Sequence, residues 1–309
     1  MAGKIFEKII ALLILLFGIF SIAEAQPSDR AYRVDTFSTS SSPSVQVTTS
    51  GGSVNVIGHT ENEVKVEMFV RRGRSYITPS DTDLSDFDIT IEKDGDRVIA
   101  EAQRKRSGVF RGGRNISISF KVFAPQNAEV EGRTSGGSVS AENLLNGLDL
   151  STSGGSVTAK KVEGDINLRT SGGSITIEEA SGNIIARTSG GSVRARDLYG
   201  EAELRTSGGS IRLENISAKI SARTSGGGIR GSFTTFLDDI ELQTSGGNIR
   251  IELPESDHFD LNLSGQRVEV SLQNFSGEME RNRVNGKVGN GGPMLSATTS
   301  GGSVRLDYH

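Results

Sequence analysis

Arginine recurs at two fixed positions beside a repeated Thr-Ser-Gly-Gly element. Arg169, Arg187, Arg205 and Arg223 each stand directly before the threonine, and Arg194, Arg212, Arg230 and Arg250 stand just beyond the glycines. A guanidinium is planar, permanently charged and carries a fork of N–H donors that matches a carboxylate or phosphate bidentately. Repeated at a regular interval, such groups suit a repeating anion, which makes an acidic polysaccharide or an envelope protein the expected class of partner. The competing reading is a solvated face whose arginines pair with neighbouring acids. The sequence supplies candidates for that as well: Glu203 lies two residues before Arg205, and Glu214 two after Arg212.

Other chemistries fit less well. Glycine-rich β-rolls bind Ca²⁺ through an aspartate in the turn, in the pattern Gly-Gly-x-Gly-x-Asp. Here the turn reads Ser-Gly-Gly-Ser in most copies and carries a carboxylate in none, whereas calcium takes roughly six to eight oxygens, usually with carboxylates among them. No metal and no cofactor are therefore expected. A phosphate-cradling loop continues into a helix, but each copy here continues into alternating apolar and polar residues. His59, His258 and His309 are far apart and form no zinc spacing. Asp238 and Asp239 are adjacent in "FLDDIE", where a strand would point them to opposite faces. A polysaccharide-active enzyme stays as an alternative, because carboxylate pairs of that kind are recognised only in space.

The element that positions these residues is a repeat. Thr-Ser-Gly-Gly begins at Thr134, Thr152, Thr170, Thr188, Thr206 and Thr224, 18 residues apart each time, then at Thr244, with outlying copies at Thr49 and Thr299. On either side of the glycines the apolar residues alternate, as in Ile166, Leu168 and Thr170 before them and Ile175 and Ile177 after them. Period-two alternation predicts half-buried strands. A second turn is expected near Gly147, Gly164, Gly182 and Gly200. One such unit cannot bury its apolar face alone, so units must stack in register, each strand on its equivalent. The predicted fold is all-β: a parallel β-solenoid (β-helix) with 18-residue coils, right-handed as parallel crossovers are. Seven coils would span roughly 30 Å at the usual strand spacing.

In that fold the glycine pairs become corners: Gly136 and Gly137, Gly154 and Gly155, Gly172 and Gly173, Gly190 and Gly191, Gly208 and Gly209, Gly226 and Gly227. Their expected role is structural, supplying positive φ at a sharp turn, with serines bonding to the turn backbone and the threonines forming an inward ladder. The arginines would then form two outward columns flanking the corner, about 4.8 Å from coil to coil.

The remaining segments frame the solenoid. Residues 1–25 combine Lys4 and Lys8, an apolar run from Ile9 to Phe20 and Ala23-Glu24-Ala25, a pattern that predicts a secretory signal peptide cleaved after Ala25. The apolar run is short for a bilayer span, so no transmembrane segment is expected after cleavage. Residues 26–130 read as a β-rich N-terminal cap, 131–253 as the solenoid and 254–309 as C-terminal coils and cap, covering edges that would otherwise be unpaired. The chain has no cysteine, so packing and backbone pairing must stabilise it. Aromatics are 6% of residues and 39 residues are glycine, which predicts a thin, repetitive core. Nothing in a net charge of -4 points to nucleic acid, for which a concentrated basic surface would be expected.

These features together resemble a bacterial β-strand-repeat family of unknown function labelled "putative adhesin". The matching stretches are the leader, "TTSGGSVNV", "VFAPQNAEVEGRTSGGSV", the "RTSGGS" coils and "GNGGPMLSATTSGGSVRL". The resemblance implies a cell-envelope or surface protein, in the periplasm or outside the cell, and it carries no catalytic residues. The expected function is a non-enzymatic scaffold or binding surface, with a self-assembling envelope element as a further alternative.

Overall fold

A computed structural model describes residues 30–81, 84–105, 116–256 and 258–309. The leader at 1–25 lies outside the described residues. The apolar alternation of the central repeats produces four long strands, Val157–Thr170, Ile175–Thr188, Val193–Thr206 and Ile211–Thr224. They pair in parallel with a constant offset, Val157 beside Ile175, Ile175 beside Val193 and Val193 beside Ile211.

In one coil the inward residues are Val157, Ala159, Val162, Ile166, Leu168 and Thr170, all buried. Each lies on its equivalent in the next coil. Ala159 meets Ile177, which in turn meets Ala195, so volumes alternate along the stack and fill it without large side chains. A fully buried Val, Leu or Ile contributes about 1.5–3 kcal/mol, while an exposed ion pair contributes about 0–1 kcal/mol. The stability of each coil therefore lies in its core, leaving the outward residues free to serve other ends.

The second turn differs from its expected form. The chain bends there without leaving the ladder, first at a left-handed residue (Asn143, Lys161, Glu179, Asp197 or Asn215, φ 51 to 60) and then at Gly147, Gly164, Gly182 or Gly200. Only the left-handed residue is skipped in pairing, between Lys160 and Val162 for example. In the four long strands equivalent positions stay paired through these bends, and strand structure runs unbroken for 14 residues.

The outlying repeats belong to the same stack, which runs past residues 131 and 253. Ser44–Thr49 pairs in parallel with Glu129–Thr134, placing Thr49 beside Thr134. Met294–Thr299 pairs likewise with Ile240–Thr244, placing Thr299 beside Thr244. At both ends space and sequence order part company. Arg97–Arg104 and Ile116–Pro125 lie outside the coil formed by Ser44–Thr49 and Val54–His59. Phe259–Ser264 and Arg267–Glu269 lie outside the coil formed by Met294–Thr299 and Ser303–Tyr308. Antiparallel strands complete the caps: Phe87–Asp94 on Arg97–Arg104, Glu63–Arg72 on Ile116–Pro125, and Arg283–Val288 on Phe259–Ser264. They cover the parallel edges that would otherwise be templates for association. The described residues contain 24 strands and no α-helix.

Candidate functional site

Each coil reverses at Thr-Ser-Gly-Gly, and threonine organises the reversal. Thr170 Oγ1 donates to the carbonyl oxygen of Gly155 in the preceding coil at 2.8 Å and accepts the N–H of Gly173 at 3.2 Å. The same two bonds recur at Thr152, Thr188 and Thr206. The first glycine donates to the serine carbonyl one coil back, as Gly172 does to Ser153 at 2.9 Å. The corner thus satisfies its backbone groups where the ladder is interrupted.

The glycines serve a purpose other than positive φ. None of the corner pairs from Gly136 and Gly137 to Gly226 and Gly227 adopts a left-handed conformation. What constrains them is close approach. A Cβ on Gly155, Gly173, Gly191 or Gly209 would strike the carbonyl of the glycine one coil earlier, whereas at Gly154 and Gly172 the nearest atoms would lie at 3.4 and 3.5 Å. The second glycine of each pair is therefore required by coil-to-coil packing, and the first less strictly, its nearest neighbour lying from 3.6 Å at Gly136 down to 3.0 Å at Gly226.

On one side of this corner stands the first arginine column, in register from Arg169 through Arg187 and Arg205 to Arg223. Acids neutralise it throughout. Arg169 faces Asp149 at 3.9 Å, Arg187 and Arg205 share Glu203 at 2.8 and 2.6 Å, and Arg223 meets Glu241 at 2.6 Å. The hydrogen bond from Arg187, reinforced by the charges of Arg187, Arg205 and Arg223, holds the Glu203 carboxyl below its ordinary pKa. Side by side on a parallel sheet, like charges repel, and the interleaved acids relieve that repulsion.

The second column, on the far side of the corner, is organised differently. Arg194, Arg212, Arg230, Arg250 and Arg305 are in register on successive coils. Arg212 pairs with Glu214, and Arg305 with Asp307 at 2.8 Å, a hydrogen bond that raises the Arg305 pKa above its ordinary value. Arg194, Arg230 and Arg250 have no ion pair among the described residues. At the position two beyond Arg230, where Arg212 finds Glu214, the chain carries Ser232. The lower part of the column borders an open groove of ≈ 530 Å³, lined by Arg212, Arg230, Arg250 and Arg305 together with Asn248 and Glu269.

Arg305 joins the column although the sequence-based column ends at Arg250. Its signal was present: it follows Gly302 at the same offset at which Arg194 follows Gly191. Glu269 had no such signal, since it belongs to a cap strand outside the repeat. The histidines are engaged near the ends of the molecule: His59 Nδ1 accepts the N–H of Glu61, His258 Nδ1 accepts that of Asn290, and His309 Nε2 lies 3.1 Å from the Phe233 carbonyl oxygen. Asp239 receives the N–H of Met294 at 2.8 Å. Among the described residues no group of three or more His, Cys, Asp or Glu side chains converges as a metal site would.

The chain is similar to two solved structures. One is a "putative cell adhesion protein" from Clostridium sporogenes ATCC 15579, 11% identical, covering 90% of this chain and 99% of that one with a TM-score of 0.23. The other is a "putative adhesin" from Bacteroides fragilis NCTC 9343, also 11% identical, covering 92% and 99% with a TM-score of 0.36. No curated protein matches. The Toastrack DUF4097 family matches residues 22–307, and with its stacked β-solenoid the chain belongs to that family.

Proposed function

We propose that this protein is a non-enzymatic, exported cell-envelope or surface protein, and that its solenoid is a rigid binding surface for an anionic partner. The observation that carries this reading is the second arginine column, in which Arg194, Arg230 and Arg250 stand in register with Arg212 and Arg305 and form no ion pair among the described residues, although Glu252 stands two beyond Arg250. Unpaired like charges on adjacent coils repel one another, and an incoming anion converts that repulsion into attraction. Guanidinium groups remain protonated and cannot accept a proton, so the column is suited to holding a ligand rather than to acid-base chemistry. Export rests on the leader, with its short apolar run and Ala23-Glu24-Ala25.

A glycan array probed at two salt concentrations tests the reading. Retention on acidic glycans that weakens at high salt is expected, and a protein that binds no anionic glycan in a salt-sensitive way would overturn it.

A further inference from the structure

We infer that the second column binds a linear polyuronate laid parallel to the solenoid axis, with the carboxylates that face the sheet received by the arginines of successive coils. This deepens the proposed function and rests on that reading of the column as an anion-binding face. The row is finite. It begins after Thr176, continues through Arg194, Arg212, Arg230, Arg250 and Arg305, and at its lower end meets a carboxylate, Glu269, whose strand places it in register beside Arg305.

Glu269 indicates the kind of anion that fits. One of its oxygens is 3.1 Å from Arg267 Nε and the other 4.0 Å from Arg305 Nη1, and the side chain lines the groove. The rung next to the arginines is thus already occupied by a carboxylate from the protein itself. Coils are about 4.8 Å apart, so a polymer laid along the row meets a guanidinium on every coil, and whichever of its sugar residues turns a carboxylate inward finds a fork to receive it. Neutral hydrogen-bonding groups lie beside the charges, as a hydroxylated ring requires. Ser210, Asn248 and Ser303 line the same groove, and Asn248 Oδ1 accepts the N–H of Ser303 at 2.8 Å, which leaves the Asn248 amide N–H groups to donate.

A nucleic-acid strand fits less well. Its phosphates advance by about 3.4 Å per nucleotide in a duplex, and single strands are held by aromatic stacking platforms, whereas no aromatic side chain lines the groove.

The experiment is calorimetric titration of the protein with oligogalacturonates of increasing length, alongside polygalacturonate, its methyl ester, dextran sulfate and polyphosphate. Affinity is expected to rise with length until the oligomer spans the row from Arg194 to Arg305, and esterification should weaken binding by about tenfold or more. Arg230→Gln with Arg250→Gln should cost about tenfold or more. The paired Lys substitutions, which keep the charge and lose the fork, should cost less but measurably. Glu269→Gln, by removing a competing carboxylate, should leave affinity unchanged or improve it. Melting curves establish that each variant is folded, and the Lys pair carries the test should the Gln pair not be.

Equal binding of acid and ester, or undiminished binding by folded arginine variants, overturns the inference. Column-dependent binding of sulfate or phosphate polymers without polyuronate binding overturns it too, yet leaves the anion-binding reading standing. Failure of every anionic polymer to bind removes both.

Discussion

Thr188 Oγ1 donates to the carbonyl oxygen of Gly173, one coil earlier, at 2.8 Å while accepting the N–H of Gly191, in its own coil, at 3.3 Å. One hydroxyl thus joins two coils at the point where the backbone ladder is interrupted. Thr188→Val keeps the shape and leaves both backbone groups without that partner. A loss of about 1–3 kcal/mol is expected in chemical denaturation, with Thr188→Ser recovering part of it. Equal stability of the Val and Ser variants would contradict the relay.

The two glycines of a corner should respond differently to the same added methyl group. Gly172→Ala meets its nearest neighbour at 3.5 Å and needs no left-handed backbone, so stability should hold or rise by about 0.4–1 kcal/mol through the unfolded chain. Gly173→Ala drives a Cβ into the Gly155 carbonyl and should cost about 1–3 kcal/mol as overpacking. Thermal melting of the pair decides the matter.

At the second turn, Glu179 holds φ 55, a conformation that a residue with a Cβ adopts at a cost. Glu179→Gly removes the strain but loosens the unfolded chain. The net expectation is stabilisation by up to about 1 kcal/mol, read as a higher melting temperature. A fall would mean that the Glu179 side chain contributes contacts that outweigh the strain.

Acid should weaken the molecule partly through Glu203. The hydrogen bond from Arg187 and the surrounding arginine charges lower its folded pKa relative to an unfolded value near 4.3. Its stabilisation is therefore full above the unfolded pKa and disappears as pH falls through the lowered folded value. With the carboxylate side chain 29% exposed, solvent screening keeps the effect below about 1 kcal/mol. Melting temperatures of wild type and Glu203→Gln should converge as pH drops below about 4. A gap that does not change with pH would show that the pair contributes nothing through charge.

Much of the fold was legible because the repeat states its own register. The 18-residue spacing of Thr134 through Thr224 gives the coil, and the alternation around Ile175 and Ile177 gives the inward face. The role of the glycine pair was not legible in the same way. Positive φ is a property of one residue, but the collision that excludes a Cβ at Gly173 involves a carbonyl 18 residues away, visible only once coils are stacked. The bend at Lys161 is hidden in the sequence for a related reason: lysine is an unfavourable choice for a left-handed residue, and tertiary register imposes it. In the candidate site, the placement of Arg169 to Arg223 in one column followed from spacing, as did the pairing of Arg205 with Glu203. The position of Glu269 beside Arg305 depends on a cap strand that returns out of sequence order, and no local pattern announces it.

That return has a further consequence. The last strand, Ser303–Tyr308, is held between Ile249–Leu253 and Arg267–Glu269, and the early strand Ser44–Thr49 is held between Arg97–Arg104 and Glu129–Thr134. Both ends are thereby locked into self-contained bookends, and the uniform coils between them are interchangeable. In-frame duplication or loss of one 18-residue unit would lengthen or shorten the body by about 4.8 Å without disturbing either bookend. Copy number, rather than substitution, becomes the simplest heritable control over how far this surface reaches.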